Sequence, residues 1–309
     1  MAPLLGNDSP AVEYTTKDST KAAEIKKAQD SNNAPTTTST SNALQALSQG
    51  VTLPGRPVFS DHEKARAHML EHMAGAFRVL ARHNCVEGLS GHISLRDPEN
   101  PHVFWTNPLG VHFALLKPED MVLLNEDGGV VGGNTKHPAN AAGFLIHRAL
   151  HKARADVNAA CHFHSPHGKA WSTFAQPLEM LNQDVTMFYG EAQAVYGEFG
   201  GVVLKEEESL ALANALGPKG KGMILRNHGL LTVGSTVDEA AYLFMLMERS
   251  CQIQLEADAA AASGRKKVYV DDEAAKFTFE MTSDPDSLYA EFQPYLQYEA
   301  ALSARGLAP

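Results

Sequence analysis

The sequence predicts an α/β fold, because segments typical of strands alternate with segments typical of helices along the chain. Capping-box motifs at Ser60–Glu63 and Thr236–Glu239 each precede apolar residues at helical spacing, and so predict two long helices. Between them, short apolar runs such as GMILR predict buried strands. The 309 residues, 44% of them hydrophobic, suffice for one large domain or two small ones.

Composition and charge argue against several classes of protein. The chain has 36 acidic and 26 basic residues, a formal net charge of -10, and no dense basic block outside the Arg265–Lys267 run. Binding to nucleic acid through counterion release is therefore not expected. No stretch approaches the roughly 18 apolar residues of a membrane span, and the first residues lack the pattern of a signal peptide.

The three cysteines, Cys85, Cys161 and Cys251, are scattered and form no CxxC motif. This spacing argues against a disulfide framework and against a thiolate zinc site, and it favours a reducing compartment. We therefore expect a cytoplasmic protein that binds neither nucleic acid nor membranes.

The chain is expected to contain three regions. Residues 1–57 are rich in Ser, Thr, Asn, Gln and Ala and have few aromatic side chains, so a disordered tail is expected there. Residues 58–265 contain the alternating pattern and form the predicted domain. Residues 266–309, which include VYVDDEAAKF and LYAEFQPYLQYEA, are expected to form a helical extension.

The first half of the predicted domain contains a helix, two strands and a second helix. The capping box at Ser60 starts a helix expected over residues 60–84. The alternating pattern of Ile93–Arg96 and the HVFWTN segment from His102 predict two strands joined by a turn. The second helix is expected over residues 139–152.

The segment VNAACHFH predicts a strand with two histidines on one face. Because strand side chains alternate between the two faces, His162 and His164 point the same way. Ser165–Pro166 is typical of an N-cap followed by proline at the first helical position, so both histidines lie where a strand ends and a helix begins. A helix over 206–216, the strand GMILR and a helix over 237–263 complete the pattern.

His162 and His164 are placed to present two neutral nitrogen ligands to one divalent cation. On their own, the two are equally well interpreted as polar residues with structural hydrogen bonds. His228, in LRNHGLLTVG, supplies a third ligand, because it follows a predicted buried strand at a point where Gly229 permits a tight turn. Three imidazoles do not select one metal, so zinc, manganese and iron all stay open.

The order of GLSGHISLR, HFHS and RNHGLLTVG resembles the class II aldolase and adducin head-domain family over about residues 62–262. The resemblance implies a three-layer α/β/α domain with a central, mainly antiparallel sheet, assembled as a homotetramer that acts on a small-molecule substrate. It also implies that His162, His164 and His228 hold the metal. That metal is zinc in the aldolase members, where it acts as a Lewis acid.

One feature of the family's aldolases is missing. They carry a Ser-Ser-Glu segment whose glutamate, the acid and base, lies about 19 residues before the first histidine; here that position is Gly143, after Ala141 and Ala142. Because a placed proton-transfer group typically contributes a factor of about a hundred or more, sugar-phosphate aldolase activity is not expected. Residues 140–166 instead resemble the adducin-like branch, and GHIS resembles members that decarboxylate aromatic acids.

Other side chains are candidates for catalysis and substrate binding. The group that returns a proton to the product is sought among His92, His147, Asp184 and Tyr189. Positions where family aldolases bind the substrate phosphate correspond here to Ser90, Gly91, Asn107 and Gly110. Each of these residues also has a structural interpretation in the core, at a subunit contact or in a turn. The histidines expected at the surface or beside a metal ligand, rather than as ligands, are His112, His137, His151 and His167.

Two functions follow from these observations. The first is a metal-dependent lyase that cleaves a carbon–carbon bond, by retro-aldol cleavage or decarboxylation of a small hydroxy-carbonyl compound or hydroxy-aryl acid. The second is a non-catalytic, adducin-like scaffold associated with actin and the cytoskeleton, which the GPKGKGMILRNHGL segment favours. The three histidines favour the lyase, because a scaffold has no evident need for a complete set of metal ligands.

Overall fold

The computed structural model describes residues 36–37, 42–201 and 206–305. The described helices and the main sheet belong to one compact unit, residues 37–309. The described helices are α1 (Asn42–Leu47), α2 (His62–Arg82), α3 (Ala141–Ala153), α4 (Pro166–Ser172), α5 (Glu206–Leu216), α6 (Val237–Ala262), α7 (Asp272–Thr282) and α8 (Pro285–Ala304).

The described strands are β1 (Thr36–Thr37), β2 (Pro57–Val58), β3 (His92–Arg96), β4 (Val103–Thr106), β5 (Val122–Asn125), β6 (Val130–Gly133), β7 (Ala159–Phe163), β8 (Gln193–Tyr196), β9 (Gly222–Leu225) and β10 (Gly229–Gly234). The main sheet has the order β6-β5-β4-β3-β7-β10-β9-β8. Neighbouring strands from β6 through to β9 run antiparallel, and the last pair, β9 with β8, runs parallel. The expected mainly antiparallel sheet is confirmed.

Helices cover both faces of this sheet, as a three-layer α/β/α fold requires. On one face, α2, α4, α6 and α8 enclose a core that includes Phe163 and Phe244. On the other face, α3 and α5 enclose a core that includes Leu150, Ala160 and Leu212. Ala160 and Phe163 both lie in β7 but belong to different cores, because the side chains of a strand alternate between its two faces.

Both predicted long helices begin where their capping motifs lie, with one correction. Thr236 caps α6, as predicted. The cap of α2 is Asp61 rather than Ser60: the Asp61 carboxylate accepts from the N–H groups of Glu63 and Lys64 at 2.8 and 3.1 Å. A carboxylate at this position also interacts favourably with the positive end of the helix dipole, which a serine hydroxyl does less well.

Most of the tail expected over residues 1–57 lies outside the described residues. Its described part includes α1, which packs against α7 and α8 and buries Ala43 and Leu44. Beyond residue 265, α8 packs along α2 and α6, and Glu299 of α8 forms an ion pair with Arg82 of α2. Among the described residues, no helix combines the length and the apolar composition needed to cross a lipid bilayer.

Candidate metal centre

Three histidines come together where β7 ends. His162 belongs to β7, His164 follows directly after it, and His228 lies in the turn between β9 and β10. One ligand nitrogen from each of the three imidazoles lies within 4.8 Å of the other two. The ring centroids are 5.2, 4.7 and 4.8 Å apart. The three side chains therefore face a common point.

The sheet register brings His228 to the other two histidines. β10 pairs with β7 with Leu230 opposite Phe163, so the residues before Leu230 lie beside the end of β7. The sequence assigned the tight turn to Gly229, but the residue with the left-handed conformation is Asn227, with a φ of 54°. Gly229 is needed for a different reason: a Cβ atom there would lie 2.8 Å from the carbonyl oxygen of Phe163.

A backbone hydrogen bond determines which nitrogen of His162 carries a proton. Its Nδ1 lies 2.8 Å from the carbonyl oxygen of Leu230. Because a carbonyl oxygen only accepts, Nδ1 donates, and Nε2 of the neutral ring keeps its lone pair. Histidines that bind metals usually donate their other ring N–H to a partner of this kind.

A buried carboxylate holds the segment that follows His164. Glu248 of α6 accepts from Ser165 Oγ at 2.5 Å and from the N–H groups of His167 and Gly168 at 2.9 and 2.6 Å. Ser165 occupies the predicted cap position of α4, but its hydroxyl makes no capping hydrogen bond. Glu248 therefore caps α4 from a distant helix. Nδ1 of His167 also lies 2.8 Å from Glu248, so His167 supports this segment.

The surroundings favour neutral imidazoles. Burial, and then the neighbouring His228 and other histidines, lowers the pKa of His162 well below its ordinary value. Burial also lowers the pKa of His228 to about 4 and lowers the pKa of the half-buried His164. Glu87 and Lys169 form an ion pair near His164, where their charges shift its pKa in opposite directions. Neutral imidazole is the form that binds metals.

The predicted candidates His92 and His147 lie beside these ligands. The register of β3 and β7 places His92 opposite His162, and their ring centroids are 5.1 Å apart. Nδ1 of His92 lies 2.9 Å from Nε2 of His147. Burial lowers the pKa of both His92 and His147 well below the ordinary value.

Two further residues continue this line of hydrogen bonds away from the metal ligands. Ser94 Oγ lies 2.7 Å from Nδ1 of His147 and 2.7 Å from Nε2 of His151. Nδ1 of His151 lies 3.0 Å from the carbonyl oxygen of Val157. The histidine relay is the set of at most 5% exposed side chains formed by His92, His147, Ser94 and His151.

The sequence did not single out Ser94, and it grouped His151 with the histidines expected either at the surface or beside a metal ligand. A signal for both was present. Ser94 lies two residues after His92 in β3, so the two share a strand face. His151 lies four residues after His147 in α3, so these two share a helix face.

At Gly143, where family aldolases carry a glutamate, the space beside the backbone is occupied by the side chain of His92 from β3. A Cβ atom added to Gly143 would overlap the His92 imidazole, with Nε2 and Cδ2 well inside contact distance and Cε1 at 2.8 Å. Any side chain at position 143 therefore requires His92 to move. The His92 ring occupies the space that such a side chain would need.

The other two catalytic candidates lie elsewhere. The Tyr189 hydroxyl donates to Oδ1 of Asp272 in α7 at 2.6 Å, and Asp184 is exposed to solvent. Within the described residues, no hydrogen bond or ring contact links Asp184 or Tyr189 to the three histidines. Their catalytic role stays a prediction.

The predicted substrate-binding residues are distributed over two loops. Ser90 and Gly91 precede β3, and Gly91 has a φ of 98° and leaves room for the ring of Phe163. Asn107 is buried, with 4% of its surface exposed, whereas Gly110 has a φ of 89° and open space beside it. Gly91 therefore has a structural role, and substrate binding by any of the four stays a prediction.

The three converging histidines fit a divalent cation. In a tetrahedral zinc site, ligand nitrogens lie about 3.3 Å apart, so ligand atoms within 4.8 Å of one another need only small side-chain rotations to close on the metal. Three protein ligands leave coordination positions for substrate or water, as catalytic zinc sites do. The donor set, its neutral protonation state and the fixed Nε2 of His162 all suit such an ion.

Comparison with known proteins gives consistent matches. The family model described as Class II Aldolase and Adducin N-terminal domain matches residues 71–255. The meiotically up-regulated gene 14 protein of Schizosaccharomyces pombe is 45% identical over 81% of this chain and 95% of that protein. Decarboxylase NovR of Streptomyces niveus is 36% identical over 80% of this chain and 88% of that protein.

A solved structure extends this likeness to the fold. The L-fuculose 1-phosphate aldolase from Glaciozyma antarctica PI12 aligns with a TM-score of 0.73 and 39% identity, covering 81% of this chain and 95% of that one. The family match spans more than half of the 309 residues. The chain therefore belongs to the class II aldolase and adducin N-terminal domain family.

Proposed function

We propose that this protein is a metal-dependent carbon–carbon lyase that acts on a small hydroxy-carbonyl compound or hydroxy-aryl acid, by retro-aldol cleavage or decarboxylation. The observation that carries the proposal is the convergence of three histidine ligand atoms within 4.8 Å of one another. Similarity to proteins named as a decarboxylase and as an L-fuculose 1-phosphate aldolase supports the same class of reaction.

In this proposal, His162, His164 and His228 hold the metal. Zinc is the proposed ion, with manganese and iron as alternatives, and when bound it would act as a Lewis acid on a substrate oxygen. The hydrogen bond from His162 to the Leu230 carbonyl would hold one ligand in place. The ring of His92 fills the space beside Gly143. His92 is the proposed group that exchanges a proton with the substrate during the reaction.

Metal analysis of the purified full chain tests the proposal. We expect about one zinc ion per chain in the wild type and a loss of most of it in the His162→Ala, His164→Ala double variant. A matched control replaces two exposed histidines outside the cluster, His102→Ala and His112→Ala, and should keep its metal. A wild type that holds no stoichiometric metal after expression in metal-replete medium would contradict the proposed lyase function and favour the scaffold alternative.

The type of reaction requires a separate measurement. The metal-loaded protein should be incubated with a panel of hydroxy-aryl carboxylates and a panel of short hydroxy-ketones. Release of carbon dioxide from the first panel identifies a decarboxylase, whereas release of a smaller carbonyl fragment from the second identifies retro-aldol cleavage. Turnover must disappear in the His162→Ala, His164→Ala variant; activity that persists there would not belong to this site.

The proposed enzyme is a homotetramer, as the family resemblance implies, and it is cytoplasmic, as the cysteine spacing and the composition predict. Light scattering on the purified full chain should give four times the mass of one chain. A particle with the mass of a single chain would contradict the tetramer without affecting the metal site, whose three ligands all come from one chain. Cell fractionation would test the location.

A further inference from the structure

The histidine relay has a direction, because it ends on a group that only accepts hydrogen bonds. Nδ1 of His151 lies 3.0 Å from the Val157 carbonyl oxygen, so Nδ1 carries the proton. A neutral His151 then has a bare Nε2, which needs a donor. The only partner of that nitrogen among the described hydrogen bonds is Ser94 Oγ, at 2.7 Å, so the serine hydroxyl donates to it.

The same reasoning fixes the rest of the relay. Once the Ser94 hydroxyl donates to His151, its oxygen accepts from the second neighbour, Nδ1–H of His147, at 2.7 Å. A neutral His147 therefore has a bare Nε2, which accepts from Nδ1–H of His92 at 2.9 Å. His92 is left with a lone pair on Nε2, because the hydrogen bond made by one ring nitrogen determines the state of the other.

This direction of the hydrogen bonds requires that the imidazole rings of His147 and His151 are uncharged. Their environment keeps them uncharged. In the described side-chain hydrogen bonds, the members of the relay contact only one another and the Val157 carbonyl. None of these bonds involves a carboxylate that could stabilise a protonated imidazole. Burial lowers the pKa of His151 to about 3 and the pKa of His147 well below its ordinary value. At neutral pH, both rings are therefore neutral.

We propose that Ser94, His147 and His151 are positioning residues that present Nε2 of His92 beside the metal centre as a hydrogen-bond acceptor. This inference rests on the proposed function and narrows its substrate class. An acceptor at that position recognises a free hydroxyl group, and it does not recognise a carbonyl or ether oxygen. The substrate is accordingly a compound with a free hydroxyl group, which donates to His92 while the substrate's carbonyl or carboxyl oxygen faces the metal ligands.

The first test locates the protons directly. Neutron diffraction from deuterated crystals of the zinc-loaded full chain should show deuterium on Nδ1 of His92, His147 and His151. The Nε2 atom of each should carry none. Deuterium on Nε2 of His92 would overturn the proposal, because the nitrogen would then be a donor to the substrate.

The second test measures recognition of a hydroxyl group by binding alone. Hydroxyacetone and methoxyacetone differ in that only the first has a hydroxyl donor. Zinc-loaded wild type should bind hydroxyacetone about five-fold more tightly than methoxyacetone, since one hydrogen bond is worth roughly that factor. Ser94→Thr, which keeps the hydroxyl, should retain this preference. Ser94→Ala, which breaks the relay between His147 and His151, should lose it with its zinc content unchanged.

The outcomes separate the relay from the metal site. If Ser94→Ala still binds hydroxyacetone five-fold more tightly than methoxyacetone, the proposal is contradicted. The proton position on His92 would then not depend on Ser94. If the wild type holds no stoichiometric zinc, manganese or iron, the proposed lyase fails. Neutron diffraction of the metal-free chain would still decide whether the relay has the inferred direction.

Discussion

At the scale of single residues, His92 and Gly143 depend on each other. Alanine in place of a helical glycine usually stabilises a protein by about 1 kcal/mol. Here we expect Gly143→Ala to lower the free energy of unfolding by about 1–3 kcal/mol instead, because the added Cβ would overlap the buried His92 ring. Urea denaturation measures the effect. Gly197→Ala is the control, since a Cβ atom added there meets nothing within 4 Å.

A double variant determines whether the His92 ring is the cause. Removing the ring by His92→Ala should make Gly143→Ala neutral or stabilising, so the two substitutions should couple favourably by at least about 1 kcal/mol. Effects that simply add would show that Gly143 is required for a reason other than the packing of His92.

The metal ligands were easier to predict from the sequence than the relay, for a geometric reason. Strand alternation alone places His162 and His164 on one face. Predicting the contact between Ser94 and His151 requires knowing that α3 crosses β3. The distance between His92 and Ser94 along the strand, about 6.8 Å, does match the distance between His147 and His151 along the helix, about 6 Å. Spacing tells which residues share a face, but it does not tell which helix covers which strand.

At the scale of elements, α6 determines how α4 begins beside the metal centre. Glu248 accepts hydrogen bonds from Ser165, His167 and Gly168, directly after His164. We expect Glu248→Gln to cost about 2–3 kcal/mol of unfolding free energy, because the charge-assisted bonds weaken and the amide NH₂ meets N–H donors. We also expect weaker zinc binding, measured by competition with a chelator.

A glutamate on the same helix provides the control for Glu248→Gln. Glu256 is exposed and contacts Gln252 within α6, so Glu256→Gln should change neither stability nor zinc affinity appreciably. Equal zinc affinity in the two variants would contradict a role for Glu248 in placing His164. The sequence predicted the Ser165 cap from local pattern, but it could not reveal a cap supplied from α6, because that contact depends on tertiary packing.

At the scale of the whole molecule, the order of elements explains why the sheet is mainly antiparallel. Strands that alternate with helices usually indicate a parallel sheet. Here, however, β3 to β6 follow one another without an intervening α-helix, and β9 leads directly into β10. The connections from β3 to β4, from β5 to β6 and from β9 to β10 are only a few residues long, and such short connections favour antiparallel neighbours. Local pattern therefore predicted the α/β class, whereas the family resemblance was needed for the strand directions and the three layers.

The buried relay histidines also make the stability of the whole molecule depend on pH. In the folded chain, the pKa of His151 is about 3 and that of His147 is well below its ordinary value, against about 6.5 in an unfolded chain. Below about pH 6.5, the unfolded chain therefore binds protons that the folded chain does not. The free energy of unfolding must fall as the pH falls through this window, towards the folded pKa values.

We expect the metal-free protein to lose stability steeply on mild acidification. Each neutral, buried histidine contributes a slope of up to about 1.4 kcal/mol per pH unit, so His147 and His151 together give up to about 3. Urea denaturation between about pH 6 and pH 5 measures this effect together with that of the other histidines whose pKa values burial lowers, such as His162 and His228. Carboxylates with lowered pKa values, such as Asp97, lose their contribution only below about pH 4. His151→Leu removes one titrating group and should reduce the slope by up to about 1.4 kcal/mol per pH unit. An unchanged slope in that variant, or a flat profile in the wild type, would mean that the relay accepts protons in the folded state and is not neutral.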